Sequence, residues 1–468
     1  MYLIYIIMTL LAINWSSVGL QAAQLLLSLS ILVVLHEFGH YITAKWFKCR
    51  VEKFYLFFDP WFSLFKKKIG ETEYGVGWLP LGGYVKISGM IDESMDKEAM
   101  KQPPKPYEFR SKPAWQRLII MIGGVAVNVL LAFIIYAGIL MVWGEKTVPI
   151  STMKYGMSFN DSIFTDLKFQ NGDKILAVDG KPVDDLQGAL RKLLIADSSV
   201  TVLRNGEQVT FKTPQDLIGK LVEKKKFADG PLISPRTLPY VDEVPDTAVA
   251  YKNGLRANDY IAAIDGRPIA YFDEVRPILA THRPGDMVSL DLKRGDSVVH
   301  INTTLNEKKQ IGFITARDYE RLDSMGIIKY RVQKYGFFGA LPAGVRKAGD
   351  ELQFYIDQFK KILQPSTGAY KGVGGFKAMG SVFSGVSWDW EHFWTMTAFF
   401  SIVLAFMNML PIPALDGGHV LFTLIEMITG RKPSEKFLEY AQIVGMIILV
   451  ALMLYANGND WFGWGKGK

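Results

Sequence analysis

The sequence contains a single cysteine, Cys49, in 468 residues. A disulfide within the chain is therefore excluded, and folding cannot depend on oxidation even where the chain faces an oxidising compartment. The segment 1–15 is apolar but lacks the basic start and the small-residue cleavage site of a signal peptide. We interpret it as a short extra membrane segment or as an outward extension of the first membrane helix.

The chain is too apolar for an ordinary soluble enzyme, because 49% of its residues are hydrophobic and 21% are charged. This mixture indicates membrane helices joined to water-soluble domains. The net charge of +7 does not indicate nucleic-acid binding, because the bases cluster beside apolar segments instead of along one soluble face. Seven of these basic residues follow closely after the first apolar run: Lys45, Lys48, Arg50, Lys53, Lys66, Lys67 and Lys68.

Four apolar stretches are long enough to form membrane helices, since crossing a hydrocarbon core takes roughly 20 residues. The first includes residues 25–35 and ends near Ala44; the others are 118–143, 393–410 and 437–456. The predicted fold class is therefore a multi-pass α-helical membrane protein with about four transmembrane helices.

The distribution of lysine and arginine predicts how these helices are oriented. Basic residues are concentrated in 45–117 and in the short loop 430–432, which we expect to face the cytoplasm. The large segment from 144 to about 392 then lies on the outer side, together with both chain ends.

A His-Glu-x-x-His motif ends the first apolar run, at His36, Glu37 and His40. In a helix this spacing puts both imidazoles on one face, where they can bind one Zn²⁺, and it puts a carboxylate beside them to deprotonate a metal-bound water. Ionisable groups inside a membrane are costly to bury unless they are paired or coordinated. The motif therefore predicts a zinc site at membrane depth.

A catalytic zinc needs a third protein ligand, and the best candidate is Asp416. Pro411 and Pro413 interrupt helical hydrogen bonding just before it, and two glycines follow it, so the carboxylate can turn toward a metal. His419 is a competing candidate. An ordinary Asp-Gly-Gly turn is the alternative interpretation of this stretch.

Residues 73–86 alternate in polarity and contain several glycines and aromatics, which predicts a membrane-associated β-hairpin too short to span the bilayer. An edge strand beside the metal site, around Gly82 and Gly83, could pair with an extended substrate backbone. The alternative is a surface hairpin without a partner.

The predicted outer segment contains a repeat, since the pattern of residues 171–183 returns at residues 257–269. A strand followed by a tight Asp-Gly turn resembles the core of PDZ domains, which bind peptides by adding a strand to a sheet edge. One or both copies could instead be spacers. Residues 346–363 have the apolar spacing of an amphipathic helix that packs on the protein or lies on the membrane.

These patterns together predict five segments. They are an N-terminal membrane part at 1–144, PDZ-like domains at 145–235 and 236–320, a linker with the amphipathic helix at 321–392, and a C-terminal membrane part at 393–468.

The His-Glu-x-x-His helix, the Leu-Asp-Gly run, the hairpin and the two PDZ-like repeats resemble the site-2 protease family of intramembrane zinc metalloproteases over nearly the whole chain. The resemblance implies that His36, His40 and Asp416 are the zinc ligands and that Glu37 is the general base. It also implies substrate-binding roles for Asn408 and for Asn128, the latter matching an asparagine of the family's second membrane helix.

The same resemblance implies a bacterial inner-membrane enzyme whose substrates are single-pass membrane proteins, such as an anti-sigma factor or a remnant signal peptide. The PDZ-like pair would exclude substrates with bulky outer domains. Two departures from the family pattern affect the substrate groove: Gly124-Val125 replaces Gly-Pro, and Phe57-Phe58-Asp59 replaces Gly-Phe-Gly. The main alternative is a catalytically inactive membrane scaffold that binds peptides through its PDZ-like domains.

Overall fold

The computed structural model describes residues 14–80, 82–90, 103–223, 231–316 and 318–464. Most of the segment 1–15, for which we predict a membrane role, lies outside these residues. The chain divides into two compact units. The membrane unit combines residues 1–144, 334–359 and 373–468, and the β-rich unit combines residues 145–333 and 360–372.

The described residues form thirteen α-helices, one of which, at 337–362, begins in the membrane unit and ends in the β-rich unit. The α-helices are α1 (Trp15–Trp46), α2 (Ala114–Val142), α3 (Ser162–Asp166), α4 (Leu186–Leu194), α5 (Leu217–Glu223), α6 (Val249–Lys252), α7 (Val275–Ala280), α8 (Tyr319–Ser324), α9 (Phe337–Ile362), α10 (Phe376–Ser381), α11 (Trp390–Met409), α12 (Asp416–Thr429) and α13 (Glu435–Phe462). The strands of the membrane unit are β1 (Val51–Leu56), β2 (Phe58–Ile69), β3 (Thr72–Leu79) and β4 (Tyr84–Ile87).

The strands of the β-rich unit are shorter and more numerous. They are β5 (Glu145–Thr147), β6 (Met157–Phe159), β7 (Lys174–Val178), β8 (Lys181–Pro182), β9 (Ser199–Arg204), β10 (Glu207–Lys212), β11 (Ile233–Pro235), β12 (Tyr260–Ile264), β13 (Arg267–Pro268), β14 (Met287–Arg294), β15 (Ser297–Thr304) and β16 (Arg331–Gln333).

Four helices of the described chain are long and apolar enough to cross a membrane, namely α1, α2, α11 and α13. The prediction of four such helices is confirmed. Helices α1 and α2 cross with their backbones in contact, since a Cβ atom at Gly39 would lie 2.3 Å from the carbonyl oxygen of Gly123. Such close approach is typical of small residues at helix contacts in membranes.

A broken segment separates α11 from α12, because α11 ends at Met409 and α12 begins at Asp416. Pro411 and Pro413 lie between them and cannot donate helical hydrogen bonds. The chain therefore places Asp416 in the first turn of a new helix. The other end of α12 is closed by Gly430 in the left-handed conformation.

The strands of the membrane unit form one sheet in the order β2-β3-β1-β4. The predicted hairpin over residues 73–86 is wrong in its pairing: β3 runs parallel to β1, and β4 pairs antiparallel with the other side of β1. Pro80, which has no amide hydrogen, follows β3, and the chain passes β1 before it becomes β4. As a result β4 is an edge strand.

The β-rich unit contains two four-stranded sheets with the same order, β10-β9-β7-β8 and β15-β14-β12-β13. Equivalent ion pairs with a buried aspartate support each sheet: Arg204 binds Asp173, and Arg294 binds Asp259, each with an N–O distance of 2.7 Å. Separate apolar cores lie beneath the two sheets. The repeat predicted from the sequence is thus present as a structural duplication.

The predicted amphipathic helix at 346–363 is present as α9, which begins earlier, at Phe337. Pro342 is the sixth residue of this helix, and because it has no amide hydrogen it removes one helical hydrogen bond there. Gly344 contacts α2, since its Cβ atom would lie 2.7 Å from the backbone nitrogen of Ala137. The portion of α9 up to residue 359 therefore packs on a membrane helix.

Candidate metal centre and active-site cavity

His36 and His40 lie one turn apart on the buried face of α1, with exposed fractions of 7% and 5%. Their Nε2 atoms are 3.3 Å apart. The Oδ2 atom of Asp416, at the start of α12, lies 3.2 Å from each of them. The fold thus brings together three side chains from two separated helices.

These distances fit a tetrahedral zinc ion. Ligand atoms at two corners of a tetrahedron with metal bonds of about 2.0–2.1 Å are about 3.3–3.4 Å apart. The three donor atoms form a nearly equilateral triangle of that size, and the fourth corner is left for water. No other described residue joins this group of candidate ligands, so His419 is not part of it.

Hydrogen bonds behind the imidazoles leave both Nε2 atoms free to bind a cation. The Nδ1 atom of His40 lies 2.8 Å from the carbonyl oxygen of Ile120, so Nδ1 carries the proton and donates. The Nδ1 atom of His36 lies 3.1 Å from the side-chain amide of Asn128. With Nδ1 protonated in both rings, the two Nε2 atoms and the Asp416 carboxylate present lone pairs to one point, an arrangement that suits a metal cation.

One buried atom without a hydrogen-bond partner decides which end of the Asn128 side-chain amide faces His36. Nδ2 is the atom placed toward His36, and Oδ1 is buried without a hydrogen-bond partner. Exchanging the two atoms, which amide geometry permits, lets Oδ1 accept from the Nδ1–H of His36. Asn128 is completely buried, at 0% exposure, so the structure places it behind His36, a candidate metal ligand.

Helix α2 approaches the imidazoles so closely that only glycine fits. A Cβ atom at Gly124 would lie 2.3 Å from Nε2 of His40 and 2.8 Å from Cε1 of His36. In the sequence, Gly124 is named only as the residue before Val125, which replaces the proline of the family pattern, and this contact was not predicted. The carbonyl of Ile120 was also missed, because a backbone acceptor leaves no trace in residue type.

Glu37 faces a cavity of about 610 Å³ that also contains His36, His40 and Asp416 in its wall. The volume is in the range of ligand-binding pockets. The edge strand β4 lines the same cavity, and the backbone amide of Val85 on β4 interacts with the Glu37 carboxylate. A carboxylate, three candidate ligands and the edge strand of the described sheet therefore line the same cavity.

Gly83 holds the start of β4 against α1, since its Cβ atom would lie 2.7 Å from both Val33 Cγ1 and the Tyr55 carbonyl oxygen. Gly82 has a φ of +152°, and its Cβ atom would lie 3.0 Å from the Phe58 ring. Both glycines therefore allow a close approach, and Gly83 lines the cavity.

Asn408, near the end of α11, points its Nδ2 atom at Nε2 of His36 from 3.2 Å. This places its amide beside the position that a bound metal would take. His419 lines the cavity one turn after Asp416, outside the ligand triangle.

Asp59, which departs from the family pattern, accepts a hydrogen bond from the Tyr84 hydroxyl at 2.8 Å. Both residues line the cavity. Burial raises the pKa of Tyr84, and the hydrogen bond to Asp59 raises it further, so the hydroxyl remains a proton donor at neutral pH. The hydrogen bond between Asp59 and Tyr84 therefore joins two side chains of the cavity wall.

Comparison with known proteins gives a match to peptidase family M50 over residues 24–452. Regulator of sigma-E protease RseP of Escherichia coli (strain K12) is 28% identical over 460 residues, covering 94% of this chain and 98% of that protein. A Vibrio cholerae protein named as a zinc metalloprotease is 27% identical over 456 residues, covering 93% and 97%. Among solved structures, a PDZ domain of an SdrC-like protein from Listeria monocytogenes matches 18% of this chain and 88% of that domain, with 27% identity and a TM-score of 0.16.

Proposed function

Because the chain belongs to peptidase family M50, the site-2 protease family of zinc metallopeptidases, we propose that it cleaves single-pass membrane proteins within or beside a transmembrane helix. One observation carries this proposal: His36 and His40 lie on α1, which is long and apolar enough to cross a membrane, and they form a triangle with Asp416 in the wall of a cavity that also contains Glu37 and the edge strand β4. The enzyme is a zinc metalloendopeptidase, and its cofactor is zinc.

In the proposed mechanism His36, His40 and Asp416 hold the ion. Zinc held there would lower the pKa of a bound water to about 7 and would polarise the scissile carbonyl. Glu37 accepts the proton of the attacking water and returns a proton to the leaving amine. Asn408, whose amide is aimed at the ligand triangle, donates to the carbonyl oxygen as negative charge develops there.

Asn128 takes a different role from the substrate contact that the family resemblance implies. It is buried behind His36, and its carbonyl oxygen can accept from Nδ1–H of that ligand. We therefore assign it the task of fixing the tautomer and orientation of His36, as outer-shell partners of metal ligands do.

Substrate binding is proposed to occur by strand addition. The carbonyls of a helical peptide are already hydrogen-bonded, so the peptide must unwind before it can be attacked. The edge of β4, together with Gly83, offers main-chain groups that hold an extended peptide beside Glu37. Gly82, with its φ of +152°, allows the backbone turn that places β4 beside Glu37.

By family resemblance we propose a bacterial inner-membrane location, with substrates of the anti-sigma-factor or remnant-signal-peptide type. The basic residues of 45–117 favour a cytoplasmic position for the β1–β4 sheet. The duplicated sheets then lie on the outer side, as two PDZ-like domains that restrict access of substrates with large outer domains.

The test is Glu37→Gln in the full chain, reconstituted with a single-pass membrane substrate. The variant should bind as much zinc as the wild type, because Glu37 is not in the ligand triangle, yet it should lose cleavage. Glu71→Gln, which changes an exposed carboxylate in the turn between β2 and β3, is the matched control and should remain active. Unchanged cleavage by Glu37→Gln would refute the assigned mechanism, and a zinc-loaded wild type that cleaves no membrane substrate would refute the function.

A further inference from the structure

The fourth apolar helix, α13, contributes one polar side chain to the described cavity wall, that of Gln442. The residue as a whole is 5% exposed. Its neighbours on the other faces of α13 are largely exposed in the protein: Val444 is 55% and Ile447 is 63% accessible. The helix therefore turns apolar side chains outward and an amide inward, toward the site.

A tight contact fixes the position of Gln442. A Cβ atom at Gly445 would lie 1.5 Å from the carbonyl oxygen of Pro413, so α13 meets the loop before Asp416 backbone to backbone. Gln442 precedes Gly445 by three residues and shares its helix face. Ala414, which follows Pro413, lines the same cavity as Gln442. The amide is thus held beside the loop that carries a metal ligand.

The Gln442 side chain has no hydrogen bond to any described residue, and its polar atoms are not sealed off from the cavity. Leaving an amide unpaired in a membrane helix costs free energy. A glutamine amide has two donor hydrogens and one acceptor oxygen. These match the N–H and C=O of a peptide group that has left a helix.

We propose that Gln442 binds the main chain of the unwound substrate, so that α13 and β4 both contribute hydrogen bonds to the extended peptide. This inference rests on the proposed function. Because the contact is to main-chain atoms, Gln442 favours an extended over a helical substrate whatever its side chains are. It is a substrate-binding residue outside the metal centre.

The test compares the full-length wild type with Gln442→Met, which keeps the side-chain shape but removes the amide. We expect kcat/KM for a single-pass membrane substrate to fall about tenfold, the effect of one lost hydrogen bond in a dry site. Gln442→Asn, which keeps the amide on a shorter chain, should recover part of the loss. Val444→Leu, on an exposed face of the same helix, should stay within about twofold of wild type.

Two further readouts separate this role from a structural one. Bound zinc should be equal in all variants, and the loss should be similar for substrates that differ in the side chains flanking the cleaved bond. Wild-type kcat/KM in Gln442→Met, a loss confined to one substrate side chain, or a loss of zinc would each overturn the inference while leaving the proposed function intact. Retained cleavage by Glu37→Gln would instead overturn the proposed function.

Discussion

Gly124 faces His40 so closely that a Cβ atom at position 124 would lie 2.3 Å from the imidazole Nε2. Nε2 is the atom of His40 that points into the triangle of candidate ligands. The close approach of α2 at Gly124 therefore limits how far the two imidazoles can move apart. A side chain at this position has no open space to enter, because Cε1 of His36 would be 2.8 Å away.

We therefore expect Gly124→Ala to displace both imidazoles and to remove most of the bound zinc. Gly138→Ala is the matched control in the same helix, because no atom lies within 4 Å of the added methyl group. That variant should keep its zinc and be as stable as wild type or slightly more stable. Metal content after purification measures both effects, and full zinc occupancy in Gly124→Ala would contradict the geometry.

The third ligand can be assigned by comparing Asp416 with His419. Asp416→Ala removes one corner of the triangle and should reduce bound zinc at least tenfold, whereas His419→Gln should leave zinc bound, since His419 lies outside the triangle. The measurement is zinc retained during titration with a chelator. The reverse pattern would transfer the ligand role to His419.

Asn128→Leu tests the support of His36. Removal of an outer-shell partner typically weakens metal binding about 10–100-fold, and we expect a loss of zinc affinity in that range with the fold preserved. Thr397→Val, which removes a buried hydroxyl that donates to Ser28 and has no metal contact, serves as control. If Asn128 acted on substrate alone, zinc affinity would be unchanged and KM would rise instead.

The β-rich unit should show acid sensitivity through Asp179. Burial alone would raise the pKa of this carboxyl, but hydrogen bonds from the backbones of Ser199, Asp197 and Ser198 outweigh it and lower the pKa below 3.8. A lowered folded-state pKa contributes stability that is present above the unfolded value and is lost as the pH falls through the folded value. Protection of 174–204 from hydrogen exchange, corrected for intrinsic rates, should therefore weaken as the pH falls below about 4.

Asp179→Asn should remove this pH dependence and destabilise the sheet at neutral pH by about 1–2 kcal/mol, because the ionised acceptor of three backbone amides is lost. Asp216→Asn changes a carboxylate of the same unit that pairs with Lys220 one turn away, with a side chain that is 43% exposed, and is the control. An equal acid response in wild type and Asp179→Asn would assign the effect to other groups.

Much of the membrane unit could be predicted from the sequence, because hydrophobic length determines which segments can span a bilayer and His36, Glu37 and His40 lie within one helical turn. Asp416 could be proposed as a partner because two prolines before it stop a helix, two glycines follow it, and the Leu-Asp-Gly run matches the family pattern. Its 3.2 Å distance from both histidines depends on packing between helices far apart in the chain.

Other features of the fold and the site could not be predicted from residue type or spacing. Residues 73–86 alternate as a hairpin would, yet alternation does not specify sheet order, and β1 lies between the two predicted partners. Similarly, Gln442 is one polar residue in an apolar run, and only the contact of Gly445 with Pro413 shows that it faces the cavity. The amide of Asn128 could be placed in the second membrane helix but not behind His36.

The edge strand β4 has only four residues. At roughly 3.3 Å per residue it extends about 13 Å. A peptide paired along it needs to release little more than one turn of helix, since a turn contains about 3.6 residues. For the single-pass membrane substrates proposed above, most of the transmembrane helix would then stay in the lipid during cleavage, and a short locally weak stretch of helix would be sufficient for cutting.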